Sequence, residues 1–338
     1  MVEGADANRQ RLRLTDTPPA FVILGLDPRI HAVTVTKSAT VSSHGPVRRI
    51  AALCLWRCFV YQQGRFIPAD PSMLQLRSLA FNVAFYLNLI VQMIVFTPFY
   101  FLAPRHLAWF VPKFWSRTSL WLQEKIAGTR AEISGLENLP EGSFILAPKH
   151  QSFWDTIAFF PYLRDPLYIL KRELRWIPFF GWYIMKMRMI PVDRGNRSRA
   201  LKAVVAATRR EMQHDRQLII YPEGTRRAPG AEPAYKWGIV ELYGQLGMPV
   251  VPVAHQAGLW WPRRRFLRHP GTIKARFLKP IPPGLDKETF MARLVAETEA
   301  ACDELLVEAA TGESPPPMPE TARKRLAELG IDWQGPRA

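Results

Sequence analysis

The sequence predicts an α/β protein with a largely parallel central sheet flanked by helices, preceded by a membrane-associated helical region. Two observations carry this prediction. From about Ile133 onward, short apolar runs alternate with helix-compatible stretches, which is the pattern of strands joined by helical crossovers. Before that point, Ser78–Ala103 contains no charged residue and is rich in Leu, Ile, Val and Phe.

Composition supports a folded protein with an anionic partner. The 338 residues are 48% hydrophobic and 22% charged, which is typical of a globular chain long enough to bury a core. Lys and Arg (45) exceed Asp and Glu (29), giving a formal charge of +16. Such a surplus suits nucleic acid or an anionic membrane surface. Because no zinc-finger spacing or RNP-type aromatic motif is present, we predict a membrane partner and no nucleic acid.

The cysteines indicate a reducing compartment. Cys54, Cys58 and Cys302 form no CxxC pair, and two of them lie far from the third in the chain. This spacing argues against a disulfide framework and against a zinc site.

Residues 1–72 mix Pro, Arg, Ser and Thr with little periodicity, so we predict a disordered extension that is not part of the natural product. Met73 opens an ordinary N-terminal sequence that leads directly into the apolar run, and we predict it as the natural start. The alternative is a natural disordered arm.

Residues 73–127 are predicted to be membrane-associated helices. At about 1.5 Å per residue, Ser78–Ala103 is long enough to cross a ~30 Å hydrocarbon core. Leu107–Ile126 mixes aromatic and basic residues, as amphipathic helices in the headgroup layer do. The region either spans once or dips into one leaflet, and a buried core helix is the alternative. Three cations follow the apolar run: Arg105, Lys113 and Arg117. They favour a cytoplasmic catalytic domain.

Residues 128–311 are predicted to form the catalytic domain. The apolar runs predicted as strands are Phe144–Ala147, Leu167–Leu170, Met189–Val192, Leu218–Tyr221, Val250–Ala254 and Thr272–Phe277. The stretches predicted as helices are Ser152–Leu163, Ser198–His214 and Asp286–Ala310. Residues 312–338 are predicted to be a Pro-rich break and a charged tail, to which we assign no function.

The segment Lys149–Asp155 (KHQSFWD) follows the first of these strands. His150 and Asp155 can form an acid–base pair only if the backbone breaks between them, because five positions on a continuous helix differ by about 140°. Pro148, and Ser152 as a possible N-cap, predict such a break. The carboxylate would then hold one imidazole nitrogen and leave the other free to accept a proton. Taken alone, the spacing favours a structural histidine.

The segment Tyr221–Arg227 (YPEGTRR) also lies at a strand end. Gly224 lets backbone approach a ligand, and an arginine provides a planar fork for phosphate. A tight turn with solvated arginines is the alternative.

Together the two segments resemble the motifs of the glycerolipid acyltransferase family, which contains the lysophosphatidate acyltransferases. Further family-like segments follow in the expected order: KREL (171–174), IPFFGW (177–182), IPVDR (190–194), YKWG (235–238) and MPVVPV (248–253). The resemblance covers roughly residues 107–283. Tyr221 replaces the common Phe, and Arg227 replaces the usual Ser, which adds a charge beside the acceptor site.

The resemblance implies transfer of a fatty acyl group from acyl-CoA or acyl carrier protein to the hydroxyl of a lysophospholipid, with lysophosphatidate ranked first. It implies His150 as general base and Asp155 as its partner. The residues implied to bind the acceptor are Glu223, Gly224, Thr225 and Arg226, with Arg226 on the phosphate and Arg194 and Lys236 as further contacts. No metal and no cofactor beyond the donor's carrier are expected. Its bacterial members imply the inner membrane, with the catalytic domain on the cytoplasmic side.

Other interpretations remain open at this point. The acceptor could be glycerol 3-phosphate, an ornithine-type lysolipid or another lysolipid. Hydrolysis is less favoured because neither a nucleophile elbow nor a metal cluster accompanies His150. A non-catalytic membrane-binding protein is a third alternative, and the intact His150, Asp155, Glu223 and Arg226 speak against it.

Overall fold

The computed structural model describes residues 71–192 and 197–335, all of which belong to one compact unit, Arg65–Ala338. The extension predicted over residues 1–72 therefore lies outside the described residues, except for its last two positions. Arg194 also lies outside them.

Seven strands and ten α-helices make up the described chain. The strands are β1 Thr129–Ser134, β2 Phe144–Pro148, β3 Pro166–Lys171, β4 Ile190–Val192, β5 Gln217–Ile219, β6 Val250–His255 and β7 Gly271–Phe277. The helices are α1 Pro71–Leu102, α2 Arg105–Ala108, α3 Phe110–Leu122, α4 Trp154–Ile157, α5 Phe180–Lys186, α6 Arg197–Met212, α7 Gly238–Leu246, α8 Ala257–Trp260, α9 Lys287–Thr311 and α10 Glu320–Glu328. A π-helical turn, Gln123–Ala127, joins α3 to β1.

The strands form one sheet in the order β1-β7-β6-β2-β5-β3-β4. Every pair is parallel except β6 with β7, so the predicted fold class is confirmed. All six predicted apolar runs overlap observed strands. The sequence did not reveal β1, because this edge strand alternates buried with exposed positions and carries Arg130 and Glu132 instead of an apolar run.

Successive side chains of the strands enter two cores on opposite faces of the sheet. Leu146 of β2 packs in one core with Phe81 and Phe85 of α1, whereas Ile145 packs in the other. The second core is covered by α6, α7 and the first turns of α9. The apolar helix α1 is therefore part of the fold on one face only.

Helix α1 is long and apolar enough to cross a membrane, and most of its apolar stretch is not buried against the rest of the protein. The polar residues that dilute its sequence bind α3, since Asn88 donates to Thr118 at 3.0 Å and Gln92 to the same hydroxyl at 2.9 Å. Two of the basic residues that follow α1 bind the catalytic domain. Arg105 lies 2.6 Å from Asp165 Oδ2, and Lys113 donates to the backbone at Arg164.

The segment predicted as a charged tail contains α10, which packs on the domain. Ala322 and Leu326 are fully buried, and Arg325 pairs with Asp303 of α9. Thr321 donates to the carbonyl of Pro229 at 2.7 Å, just beyond the YPEGTRR segment. Ala322 and Leu326 are the only two buried residues of a highly charged helix, which is why composition alone suggested a tail.

Candidate active site

His150 and Asp155 lie together at the carboxyl end of β2. The chain leaves the strand at Pro148 and enters α4 at Trp154, so His150 lies in the turn and Asp155 in the first helical turn. Nδ1 of His150 is 2.9 Å from Oδ1 of Asp155. Because the carboxylate accepts, Nδ1 carries the proton and Nε2 presents its lone pair.

Asp155 also holds the turn that carries His150. Its Oδ2 accepts backbone N–H groups of Gln151 and Ser152, both at 2.8 Å, and the side chain is fully buried. Burial acts to raise the pKa of Asp155, but the hydrogen bond with His150 and that from the backbone of Ser152 favour the carboxylate, and the pKa lies below its ordinary value. The carboxylate is therefore ionised at neutral pH and positioned to stabilise an imidazolium.

The YPEGTRR segment directly contacts the segment Lys149–Asp155, which we call the histidine block. The carboxyl ends of β2 and β5 adjoin because the two strands are parallel neighbours. The ring of Tyr221 stacks on His150 at 3.9 Å between centroids, and the Tyr221 hydroxyl donates to the carbonyl of Asp155. The N–H of Arg227 donates to the carbonyl of His150 at 2.8 Å. Tyr221 therefore limits the imidazole to one ring plane.

Gly224 lies at the top of this turn with φ +66°, a conformation that favours glycine. Its N–H donates to the carbonyl of Tyr221 at 2.9 Å, and both Gly224 and Thr225 are exposed. Lys236 reaches the same turn: its N–H donates to Pro222, and its side chain lies against the open side of Gly224. The turn thus leaves accessible backbone beside a cation.

Glu223 points inward from the turn. Its Oε1 is 3.0 Å from Nζ of Lys149, which is also 2.6 Å from Glu299 of α9. Burial acts to lower the pKa of Lys149, but the two carboxylates outweigh it and raise the pKa, so the lysine is protonated. This cluster, Lys149–Glu223–Glu299, links the residue next to His150 to the YPEGTRR segment.

Residues 130–256 match the model of the acyltransferase family. A 1-acyl-sn-glycerol-3-phosphate acyltransferase of Pseudomonas aeruginosa is 35% identical over 221 residues, which are 64% of this chain and 84% of the relative. The chain belongs to the glycerolipid acyltransferase family. This O-acyltransferase is also similar to a 1-acyl-sn-glycerol-3-phosphate acyltransferase of Cocos nucifera, at 31% identity over 33% of this chain and 37% of the relative.

The fold of the acyltransferase has a solved counterpart. The crystal structure of the 1-acyl-sn-glycerophosphate (LPA) acyltransferase PlsC from Thermotoga maritima superposes with a TM-score of 0.57 at 21% identity. It covers 68% of this chain and 98% of that chain. The family assigned from the sequence is therefore confirmed by sequence relatives, and the α/β fold by a structure.

The predicted site residues of the acyltransferase fall into three groups. His150, Asp155 and the turn that carries Gly224 and Thr225 lie together. Arg226 is half-buried, with its guanidinium 5.6 Å above the ring of Phe153 in the histidine block. Glu223 is 1% exposed and its carboxylate forms an ion pair with Lys149. This favours a positioning role over direct contact with the acceptor. The binding roles themselves stay predictions.

His255, at the end of β6, was not identified from the sequence. It is fully buried, its Nε2–H donates to the carbonyl of Lys149 at 2.8 Å, and its Nδ1 accepts from the N–H of Ala257. Burial lowers the pKa of His255 despite the nearby Asp155 carboxylate, so the ring is neutral. Its hydrogen bond to Lys149 therefore holds the backbone at the start of the histidine block. A single histidine at the end of an apolar strand did not indicate this role in the sequence.

Within residues 71–192 and 197–335, no three His, Cys, Asp or Glu side chains are grouped closely enough to hold a metal ion. The expectation of metal-independent chemistry stays a prediction.

Proposed function

We propose that the acyltransferase moves a fatty acyl group from acyl-CoA or acyl carrier protein to the free hydroxyl of 1-acyl-glycerol 3-phosphate, giving phosphatidic acid. The observation that carries this proposal is the contact between the two blocks. An oriented His150–Asp155 pair lies beside a turn that presents accessible backbone and Arg226. The names of the relatives in Pseudomonas aeruginosa and Cocos nucifera support the acceptor.

In the proposed reaction, Nε2 of His150 removes the proton of the acceptor hydroxyl as its oxygen attacks the thioester carbonyl. A carbon–oxygen bond forms, and the carbon–sulfur bond then breaks. The imidazolium returns the proton to the departing thiolate, so the enzyme ends unchanged. Asp155, ionised and hydrogen-bonded at Nδ1, stabilises the imidazolium in between. The thioester is already activated, so the step needs no enzyme nucleophile.

The experiment that tests this proposal offers a labelled acyl thioester to the purified full chain with a panel of acceptors. We expect transfer to lysophosphatidate, and little to glycerol 3-phosphate or lysophosphatidylcholine. Transfer only to another lysolipid would retain the chemistry and overturn the proposed acceptor.

Arg226→Met is expected to lower kcat/KM for lysophosphatidate by about 10- to 100-fold, because hydrogen bonds to a charged group are worth about 1.5–3 kcal/mol. Monoacylglycerol, which lacks the phosphate, is the control acceptor, and its slow transfer should change little. An equal loss with both acceptors would show that Arg226 does not bind the phosphate.

We further propose that α1 lies along the cytoplasmic leaflet of the inner membrane instead of crossing it. The helix binds the catalytic domain from end to end: Ser78 accepts from the backbone of Arg268, and Lys186 donates to the carbonyl of Ala103. These contacts are roughly 37 Å apart along the helix, more than a ~30 Å hydrocarbon core. The exposed large apolar residues of α1 are Met73, Leu76, Leu79, Val83, Tyr86, Leu87, Ile90, Val91, Ile94, Val95, Phe99, Phe101 and Leu102.

If α1 lies in one leaflet, its two ends are on the same side of the membrane. Met73→Cys and Leu102→Cys, both at exposed positions, should then react with an impermeant maleimide in inside-out vesicles and not in right-side-out vesicles. Cys54 and Cys58 are replaced by Ser, while Cys302 can stay because burial raises its pKa to about 12. Labelling of the two ends from opposite sides would establish a crossing helix.

A further inference from the structure

The loop between α8 and β7 carries three consecutive cations and an aromatic ring, Arg263-Arg264-Arg265-Phe266. All four residues are exposed, and Phe266 as a whole residue is 49% exposed. We call these four residues the arginine loop.

The cations of the arginine loop have no counterion among residues 71–192 and 197–335. In the described part of the chain, no carboxylate lies within ion-pair distance of Arg263, Arg264 or Arg265. Many other exposed cations of the domain are paired: Lys274 with Glu308, Arg276 with Glu304, Lys287 with Glu241 and Arg293 with Glu297. Three adjacent unpaired arginines therefore form a local positive surface open to an external anion.

A buried guanidinium fixes the shape of the arginine loop. Nη1 of Arg268 donates to the carbonyls of Arg265, Phe266 and Leu267 at 2.6, 3.1 and 3.0 Å. The same guanidinium lies 4.7 Å above the ring of Trp261. Arg264 has φ 55°, a backbone conformation that non-glycine residues adopt only when the surroundings enforce it. The arginines are thus presented by a preorganised loop.

The arginine loop sits on α1. Asn82 donates to the carbonyl of Phe266 at 3.2 Å, and the N–H of Arg268 donates to Ser78 at 2.9 Å. On this part of the helix Leu79 and Val83 are exposed. Cations and an aromatic ring next to an exposed apolar helix are typical of protein surfaces that bind at the boundary between lipid headgroups and acyl chains.

We propose that the arginine loop binds the anionic phosphate headgroups of the membrane on which α1 lies. The proposal rests on the membrane placement of α1 and adds the partner's chemistry: an anionic phospholipid, held by Arg264 and Arg265 with Phe266 inserted among the chains. Arg263 donates to the carbonyl of Arg226 at 2.8 Å, so the arginine loop is hydrogen-bonded to the segment proposed to bind the acceptor phosphate. Acceptor and membrane phosphates would then be met by adjacent residues.

The test measures binding of the full chain to sedimenting vesicles of phosphatidylcholine, with and without phosphatidylglycerol. Arg264→Gln with Arg265→Gln should weaken binding to the anionic vesicles by about 20- to 30-fold, since each cation at such a surface contributes about fivefold. Binding to pure phosphatidylcholine should be unchanged. Arg264→Lys with Arg265→Lys keeps the charge and should bind like the parent.

The matched control removes the same charge from the opposite face of the sheet. Lys202→Gln with Arg210→Gln changes two exposed cations of α6, which covers the other core, and should bind like the parent. An equal loss in both double variants would overturn the proposal, because it would show a response to net charge alone. A parent that binds neither vesicle would overturn the membrane placement itself.

An acidic carrier protein is the competing partner. Acyl transfer in neutral detergent micelles separates the two, because no anionic lipid is present. The proposal expects the glutamine variant to use acyl-CoA and acyl carrier protein as well as the parent does. Slower transfer from acyl carrier protein alone, with vesicle binding intact, would assign the arginine loop to the carrier. If no protein transfers acyl groups, the proposed reaction fails while the vesicle result stands.

Discussion

His150→Ala is expected to lower kcat for acyl transfer by at least about a hundredfold, since positioned general-base catalysis contributes about 10²–10⁴-fold. The variant removes the imidazole nitrogen proposed to accept the hydroxyl proton, while Asp155 keeps its hydrogen bonds from the backbone of Gln151 and Ser152. The measurement is steady-state transfer to lysophosphatidate, with kcat and KM determined separately. KM should change little, because the ring is expected to act on the reacting proton.

His214→Ala is the control, because His214 is an exposed histidine at the end of α6. It should leave kcat within about twofold of the parent. If His150→Ala retains normal kcat, His150 is a structural residue and the proposed base is wrong. If both variants lose activity equally, the loss is explained by inactivation of the protein in detergent, and general-base catalysis by His150 is not supported.

Lys149→Met is expected to destabilise the fold by up to about 3–5 kcal/mol, because it removes the buried cation at 3.0 Å from the carboxylate of Glu223 and leaves the partly exposed Arg227 guanidinium at 3.7 Å. Lys149 and Glu223 are 4% and 1% exposed, so water does not replace the lost partner. The measurement is the free energy of unfolding from denaturant titration in detergent. Transfer activity should fall as well, since the ion pair joins the histidine block to the YPEGTRR segment.

Two further variants separate pairing from general damage. Lys274→Met removes a cation from an exposed ion pair with Glu308 and should cost no more than about 1 kcal/mol. Adding Glu223→Gln to Lys149→Met removes the buried charge and should recover part of the lost stability. A double variant that is no more stable than Lys149→Met would argue against an uncompensated carboxylate as the cause.

Local patterns were sufficient for most of the fold. Strands such as Val250–His255 were visible because a strand buried on both faces is a continuous apolar run. β1 was missed because an edge strand lacks that run. The break between β2 and α4 could be expected from Pro148, and it is the feature that brings His150 and Asp155 together. The KHQSFWD and YPEGTRR segments carried enough chemistry to indicate the family.

Contacts between distant parts of the chain could not be predicted from the sequence. Lys149 and Glu299 are 150 positions apart and meet only because α9 packs on β6, and nothing near either residue indicates the other. The same holds for α10, whose burial depends on the surface that receives it.

The sequence by itself determined six of the seven described strands, the long helices and the candidate site residues, because periodicity and residue type are local properties. It did not determine β1 or α10, and the predicted helix Ser152–Leu163 is a short α-helix, Trp154–Ile157, followed by a 3-10 turn. Only the tertiary structure decided that Tyr221 stacks on His150, that Glu223 turns inward to Lys149, and that α1 binds the domain along its length. The physical reason is that a hydrophobic pattern indicates which surface must be buried, whereas the surface that covers it is determined only when distant segments pack together.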